Sequence, residues 1–288
     1  MLKALQQPQL KRLWFGQAFS SIGDEIYRVG LTWFAVGLMG ANTGYLAAGQ
    51  TASLMLLSFI GGKWADRWHP LRTMIGVDLI RAAIVVIPVV ASFFMQVPMW
   101  MLWSMALSLS ALSAFFDPAT QATIPLLAKD AETMQSTNGL MSTTIRMARM
   151  IGPAIVGLLS AFIPMIHFFT IDALTFLVSA MSVRTLKDHV PETPKENVPS
   201  VSFSEALHSG FALIRSKPGM TYVFISKALT AGTWNLALMI GFALLVHQVT
   251  NGDARMFGLV MASYGVGNFA GALFFGSRPR KRLWFMLF

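Results

Sequence analysis

The stretch Gly62-Lys63-Trp64-Ala65-Asp66-Arg67-Trp68-His69-Pro70-Leu71-Arg72 gathers Lys63, Asp66, Arg67 and Arg72 between two apolar runs, Gly44 to Gly62 and Thr73 to Phe94. Each run approaches the roughly 20 apolar residues that a helix needs to cross a bilayer. The charges therefore mark a loop between two membrane spans. Further runs at Leu13 to Met39, Met99 to Phe116, Gln135 to Ser160, Met165 to Val183, Met220 to Val246 and Met256 to Gly276 bring the expected spans to eight. A ninth begins at Leu283 and stops with the chain at Phe288. The fold class expected is an all-α, polytopic membrane protein.

Composition agrees. The 288 residues are 55% hydrophobic and 12% charged, against about 25% charged in a soluble domain, too few charges to cover a globular surface. The net charge of +9 and the pI near 10.2 would suit a nucleic-acid binder, but such a protein needs a basic face on a soluble body, so no nucleic-acid partner is expected. The absence of cysteine excludes a disulfide framework, a thiolate nucleophile and Cys-ligated metals. The first run carries Asp24, Glu25 and Arg28 and no small-residue cleavage site, so it reads as a retained helix and not a signal peptide.

Basic residues cluster on one side of the spans: Lys3, Lys11 and Arg12, then Lys63, Arg67 and Arg72, then Lys129, then Arg184, Lys187, Lys195, Arg215 and Lys217, then Arg278, Arg280, Lys281 and Arg282. Arg255 alone falls in a loop on the other side. Cytoplasmic loops keep positive charge, which predicts a cytoplasmic N-terminus in a cell (inner) membrane, with the lipid bilayer as a partner. From Arg184 to Ser202 the chain turns polar, with Pro191, Pro194 and Pro199, as expected of a linker. Phe203, Leu207, Phe211 and Ile214 then recur at helical spacing, which predicts an amphipathic surface helix over Phe203 to Ser216. Three parts follow: a six-helix bundle over residues 1–183, a cytoplasmic linker with its surface helix over 184–219, and an incomplete second bundle over 220–288.

An ionisable side chain at the bilayer centre costs at least about 2.5 kcal/mol, so those inside spans are candidates for function. Asp24 and Glu25 lie roughly 17 Å into the first run at 1.5 Å per residue. Arg146 and Arg149 lie at a similar depth in the fifth. Gln17, Ser20, Asp24 and Arg28 form one polar stripe that must face protein or water. Asp24 with Arg146 or Arg149 is the expected functional pair; Glu25 points about 100° away from Asp24. A carboxylate that keeps its arginine stays ionised, and one parted from it in a poorly hydrated cavity can take a proton. Protons are thus the expected coupling ion. Asp78 and Arg81 form a shallow i,i+3 pair near the start of the third run, open to both a structural and a coupling reading.

The loop from Gly62 to Arg72 resembles the G-x-x-x-D-R signature of the major facilitator superfamily, departing from it after Arg67. Gly152-Pro153-Ala154-Ile155-Val156-Gly157 is similar to that superfamily's G-P-x-x-G-G antiporter motif, with Val156 in place of a glycine. Phe116-Asp117-Pro118 closing the fourth run and Ala206 to Pro218 add to the likeness. Together they look like its exporters of drugs, macrolides and the siderophore enterobactin. The resemblance implies a small-molecule substrate, proton-coupled alternating access, no cofactor and a monomer when complete. It implies a cytoplasmic gate from Gly62, Asp66, Arg67 and Arg72 with Asp117 as partner, and a helix bend at Gly152, Pro153 and Gly157, where an ordinary kink is an equal reading. Such transporters have twelve spans in two halves, so a longer protein of which this chain is the N-terminal part is expected, with a truncated, non-transporting membrane protein or interaction partner as the alternative. No enzyme is expected, since neither H-E-x-x-H nor G-x-S-x-G occurs.

Overall fold

The computed structural model describes residues 2–65, 68–128, 130–160, 162–190, 203–217 and 219–276. Among them every regular element is helical. A short α1 (Leu2–Gln6) precedes α2 (Pro8–Met39), which starts on a proline that needs no N–H partner there and ends at Gly40, whose φ of 55° few other residues adopt. A 3-10 turn (Gly40–Asn42) leads into α3 (Thr43–Ala65), followed by α4 (Pro70–Ser92), α5 (Met99–Leu127), α6 (Ala131–Leu159) and α7 (His167–Arg184). After a second 3-10 turn (Lys187–His189) come α8 (Phe203–Ser216), α9 (Met220–Trp234), a π-helical stretch (Asn235–Gly241), α10 (Phe242–Val249) and α11 (Ala254–Gly276).

Each of the eight expected spans coincides with helix, the seventh through α9, the π-helical stretch and α10, and the amphipathic segment forms α8. Among the described residues, four helical stretches, Pro70–Ser92, Met99–Leu127, His167–His189 and Met220–Val249, are long and apolar enough to cross a membrane by length and composition. In α2 and α6, ionisable residues interrupt the apolar run at mid-helix. The linker residues 191–202, Asp66, Arg67 and the ninth run at 283–288 lie outside the described residues.

One boundary differs. The fourth run does not close at Asp117-Pro118: α5 continues through Pro118 and Pro125 to Leu127. Pro118 has no N–H for the Ala114 carbonyl one turn earlier. Gly61 of α3 packs its bare Cα against that carbonyl, so the two helices approach closely where the proline breaks the ladder.

The helices pair α2 with α6 and α7, α3 with α5, α4 with α5 and α7, and α6 with α11. Two apolar clusters stack along the bundle. One holds Leu10, Leu13, Leu71, Met74, Phe116, Ile124 and Val183. The other holds Leu31, Leu46, Val85, Met105, Phe169 and Phe176. Between them, every one of the four helices α2, α4, α5 and α7 changes to polar residues: Gln17 to Asp24, Asp78 and Arg81, Ser113, and Ser179. A third cluster, with Ile26, Trp33, Val156, Phe168, Ala243, Phe257 and Met261, joins α2, α6 and α7 to α10 and α11.

At the α1 end, Lys3 pairs with Glu132 at 2.6 Å, Trp14 Nε1 donates to Thr144 Oγ1 at 2.8 Å, and Ser182 Oγ donates to the Arg12 carbonyl at 2.6 Å. These bonds tie α1 and α2 to α6 and α7. The Glu132 carboxylate beside Lys3 raises its ammonium above the ordinary lysine range.

Candidate functional site

The polar layer opens onto a cavity of about 500 Å³. The stripe on α2 supplies one wall with Gln17, Ser20, Asp24 and Arg28, joined by Glu25; α3 adds Gln50 and Thr51, α4 Arg81, α5 Ser113 and Asp117, and α6 Arg149. The π-helical stretch brings Asn235 and Met239 to the same space. A π turn widens the helix, and such turns recur at functional positions.

Charge in the cavity is divided into two groups. Glu25, 8% exposed, bonds Arg28 one turn away and faces Arg149 Nε at 3.6 Å. Asp24 and Asp117 both reach the open space, and Arg81 lies in the wall between the two apolar clusters. Gln17 Nε2 donates to Ser179 Oγ at 3.3 Å, which fixes the amide against α7.

Several expectations change. Arg149 faces Glu25, not Asp24, because the rotation of about 100° between consecutive residues turns Glu25 toward α6. There Gly152 packs against Glu25 with no room for a Cβ. Arg146 is exposed and does not line the cavity, since its place on α6 turns it away from α2. Asp117 is a wall residue in mid-helix and not the closing residue of α5, for the helix runs on past Pro118. Asp78 and Arg81 are not shallow: both are buried, and Arg81 sits eleven residues into a helix of 23.

Of the gate residues, Gly62 ends in α3, Arg72 is exposed in the first turn of α4, and Asp66 and Arg67 lie outside the described residues. Gly157 and Pro153 lie inside α6, and Gly157 meets Gly258 of α11 backbone to backbone.

Asp172, an ionisable residue inside the sixth run that sequence reasoning places near its outer end, completes the polar layer with Thr175 and Ser179 on α7, which sequence reasoning does not single out. Asp172 is fully buried, with Thr175 Oγ1 donating to its Oδ1 at 3.4 Å. Gly23 clears the space for both: a Cβ there would meet Asp172 Oδ1 at 2.7 Å. The sequence does hold a signal, since Asp172, Thr175 and Ser179 recur at spacings of three and four on one face of an apolar helix.

Among solved structures, the chain is similar to a bacterial homologue of the human lysosomal transporter Spinster in an inward-facing, unoccupied conformation, with a TM-score of 0.66, 15% identity, and 96% of this chain and 66% of that one covered. It is also similar to a peptide transporter, with a TM-score of 0.54, 14% identity, and 76% and 45% covered. At those identities the likeness speaks for the fold. Macrolide efflux protein A of Streptococcus pyogenes is 23% identical over 269 residues, covering 92% of this chain and 65% of that protein. The protein of the same name from Enterococcus faecalis is 24% identical over 241 residues, covering 80% and 73%. The chain thus spans 65% of the length of the Streptococcus relative. Residues 1–285 match the family described as transmembrane secretion effector, and the chain belongs to that family of the major facilitator superfamily.

Proposed function

We propose that the protein is a secondary active exporter of drugs or other small amphiphilic molecules, macrolides and siderophores among them, working as a monomeric proton antiporter in the inner membrane with its N-terminus in the cytoplasm. The observation that carries the reading is the cavity itself. It combines apolar walls with three carboxylates and three arginines drawn from α2, α4, α5 and α6. Charges so deep in apolar helices are retained at a cost unless they act. The similarity to macrolide efflux proteins supports the direction of transport and the class of cargo.

In this reading residues 1–183 are one rocking bundle, 184–219 the cytoplasmic linker, and 220–288 belong to the second bundle. Asp24, exposed to the cavity, is the carboxylate that exchanges a proton as its distance from a cation changes. Glu25 with Arg28 and Arg149 holds α2 to α6, and Gly62, Asp66, Arg67 and Arg72 close the cytoplasmic side. The Gly157 crossing lets α6 move against α11, since bare backbones can slide without side chains interlocking.

The test is efflux of a fluorescent dye or a macrolide from vesicles carrying the full-length protein, with and without a proton gradient. Gradient-driven efflux that disappears in Asp24→Asn is the expected result. Efflux indifferent to the gradient, or unaltered in Asp24→Asn, overturns the assignment.

A further inference from the structure

Arg81 contacts Asp78 and shares the polar layer with Asp24, Asp117 and Asp172. It is 4% exposed. Its Nη1 lies 3.7 Å from Asp78 Oδ1, and its Nη2 donates to Ser113 Oγ at 2.8 Å. The guanidinium lies over the rings of Phe116 at 4.5 Å and Phe176 at 5.4 Å. Those contacts hold it between α4, α5 and α7 with little freedom to swing. Asp24 on α2, Asp117 on α5 and Asp172 on α7 all lie within reach of its field. Arg28 and Arg149 are occupied with Glu25.

One cation cannot fully compensate four acids in a medium where uncompensated charge is expensive. What Asp78 takes of the guanidinium's field, the cavity acids do not receive. We infer that Arg81 is the positioning residue for Asp24: Asp78 anchors the guanidinium from inside the bundle, and the share of its charge left to the cavity sets the pH at which Asp24 exchanges its proton. The inference rests on the proton-coupling reading above. The groups facing Asp24 are Glu25, Tyr27 and Arg28 on its own helix, Asp78 and Arg81 on α4, Asp117 on α5, Arg149 on α6 and Asp172 on α7.

The experiment is the pH profile of gradient-driven dye efflux in vesicles of the full-length protein. In Asp78→Asn the guanidinium serves the cavity acids more fully, so the half-maximal pH moves down by about 1 unit, the scale of a neighbouring opposite charge. In Asp78→Asn/Arg81→Gln, which removes one acid and one base together, it moves up by a similar amount. Opposite shifts from one shared substitution are not what a packing role would produce. Wild-type half-points in both variants overturn the inference while leaving proton coupling intact; a wild-type protein with no gradient dependence overturns both. If the double variant fails to reach the membrane, the direction of the Asp78→Asn shift decides alone, and no shift or an upward one overturns the inference.

Discussion

Gly157 of α6 and Gly258 of α11 cross with their backbones in contact, and a Cβ on either would land on the other's main chain. The crossing sits beside the apolar cluster that includes Val156 and Phe257, so the helices cannot part without exposing it. Gly157→Val inserts bulk with nowhere to go, and overpacking of this kind costs about 1–3 kcal/mol. The thermal midpoint in detergent falls accordingly. Gly267→Val is the control: no described atom lies within 4 Å of its Cβ position, and its midpoint stays near that of the parent. Equal losses at both positions would sink the idea that the crossing matters.

Glu25 serves two arginines. Removing its charge in Glu25→Gln leaves Arg28 and Arg149 on either side of a neutral amide. Arg149 is 64% exposed at its side chain, so water screens much of the repulsion and the loss is about 1 kcal/mol. Adding Arg149→Gln recovers most of it. Unfolding midpoints of the single and double variants at low and high salt check this, and the single variant's deficit shrinks as salt rises.

Asp130 caps α6 from outside the spans. Its Oδ1 accepts from the Thr133 N–H at 2.7 Å and its Oδ2 from the Thr133 hydroxyl at 2.9 Å. These hydrogen bonds hold the carboxyl below the ordinary aspartate range. A lowered folded value means that the cap's contribution is complete above the ordinary value of about 4 and is lost as pH falls through the folded one. Protection of the first amides of α6, taken relative to the intrinsic exchange rate at each pH, is therefore high at neutral pH and falls in acid, whereas in Asp130→Ala it is low throughout. An acid loss of protection that persists in Asp130→Ala would assign the effect to another group.

The helices and the stripe Gln17, Ser20, Asp24 and Arg28 were legible in the sequence because period and length suffice to find apolar helices and a polar face within one. Which arginine met which carboxylate was not, because depth along a helix says nothing of its rotation: Glu25, a single residue from Asp24, turned to α6 and took Arg149. The end of α5 was misread because Pro118 normally stops a helix, and only the close approach of Gly61 shows where the broken ladder is accommodated. Arg81 looked shallow when counted from the Thr73 start of the apolar run, yet α4 begins at Pro70, which puts Arg81 at the helix centre.

Trp33 stacks on Phe257 at 5.1 Å and meets the ring of His247 at 5.3 Å, and it is buried between α2, α10 and α11. Thr32, its neighbour, lines the cavity. This aromatic group packs beside the cavity, and it is expected to close the cavity toward the turn between α10 and α11, the end opposite α1. Removing a buried tryptophan costs about 3–5 kcal/mol of packing, enough to populate an open passage. Residues 1–288 hold no cysteine, so in a full-length protein cleared of any cysteine beyond them Thr32→Cys supplies a single thiol. A membrane-impermeant maleimide applied from the side of the α10–α11 turn is expected to label it slowly in the parent and at least tenfold faster with Trp33→Ala added. His247→Ala, which removes one ring contact worth about 0.5–1.5 kcal/mol, accelerates labelling less. Labelling from the opposite side changes little in either variant, and a Trp33→Ala protein labelled at the parent rate from the α10–α11 side would mean that the cavity is closed there by other residues.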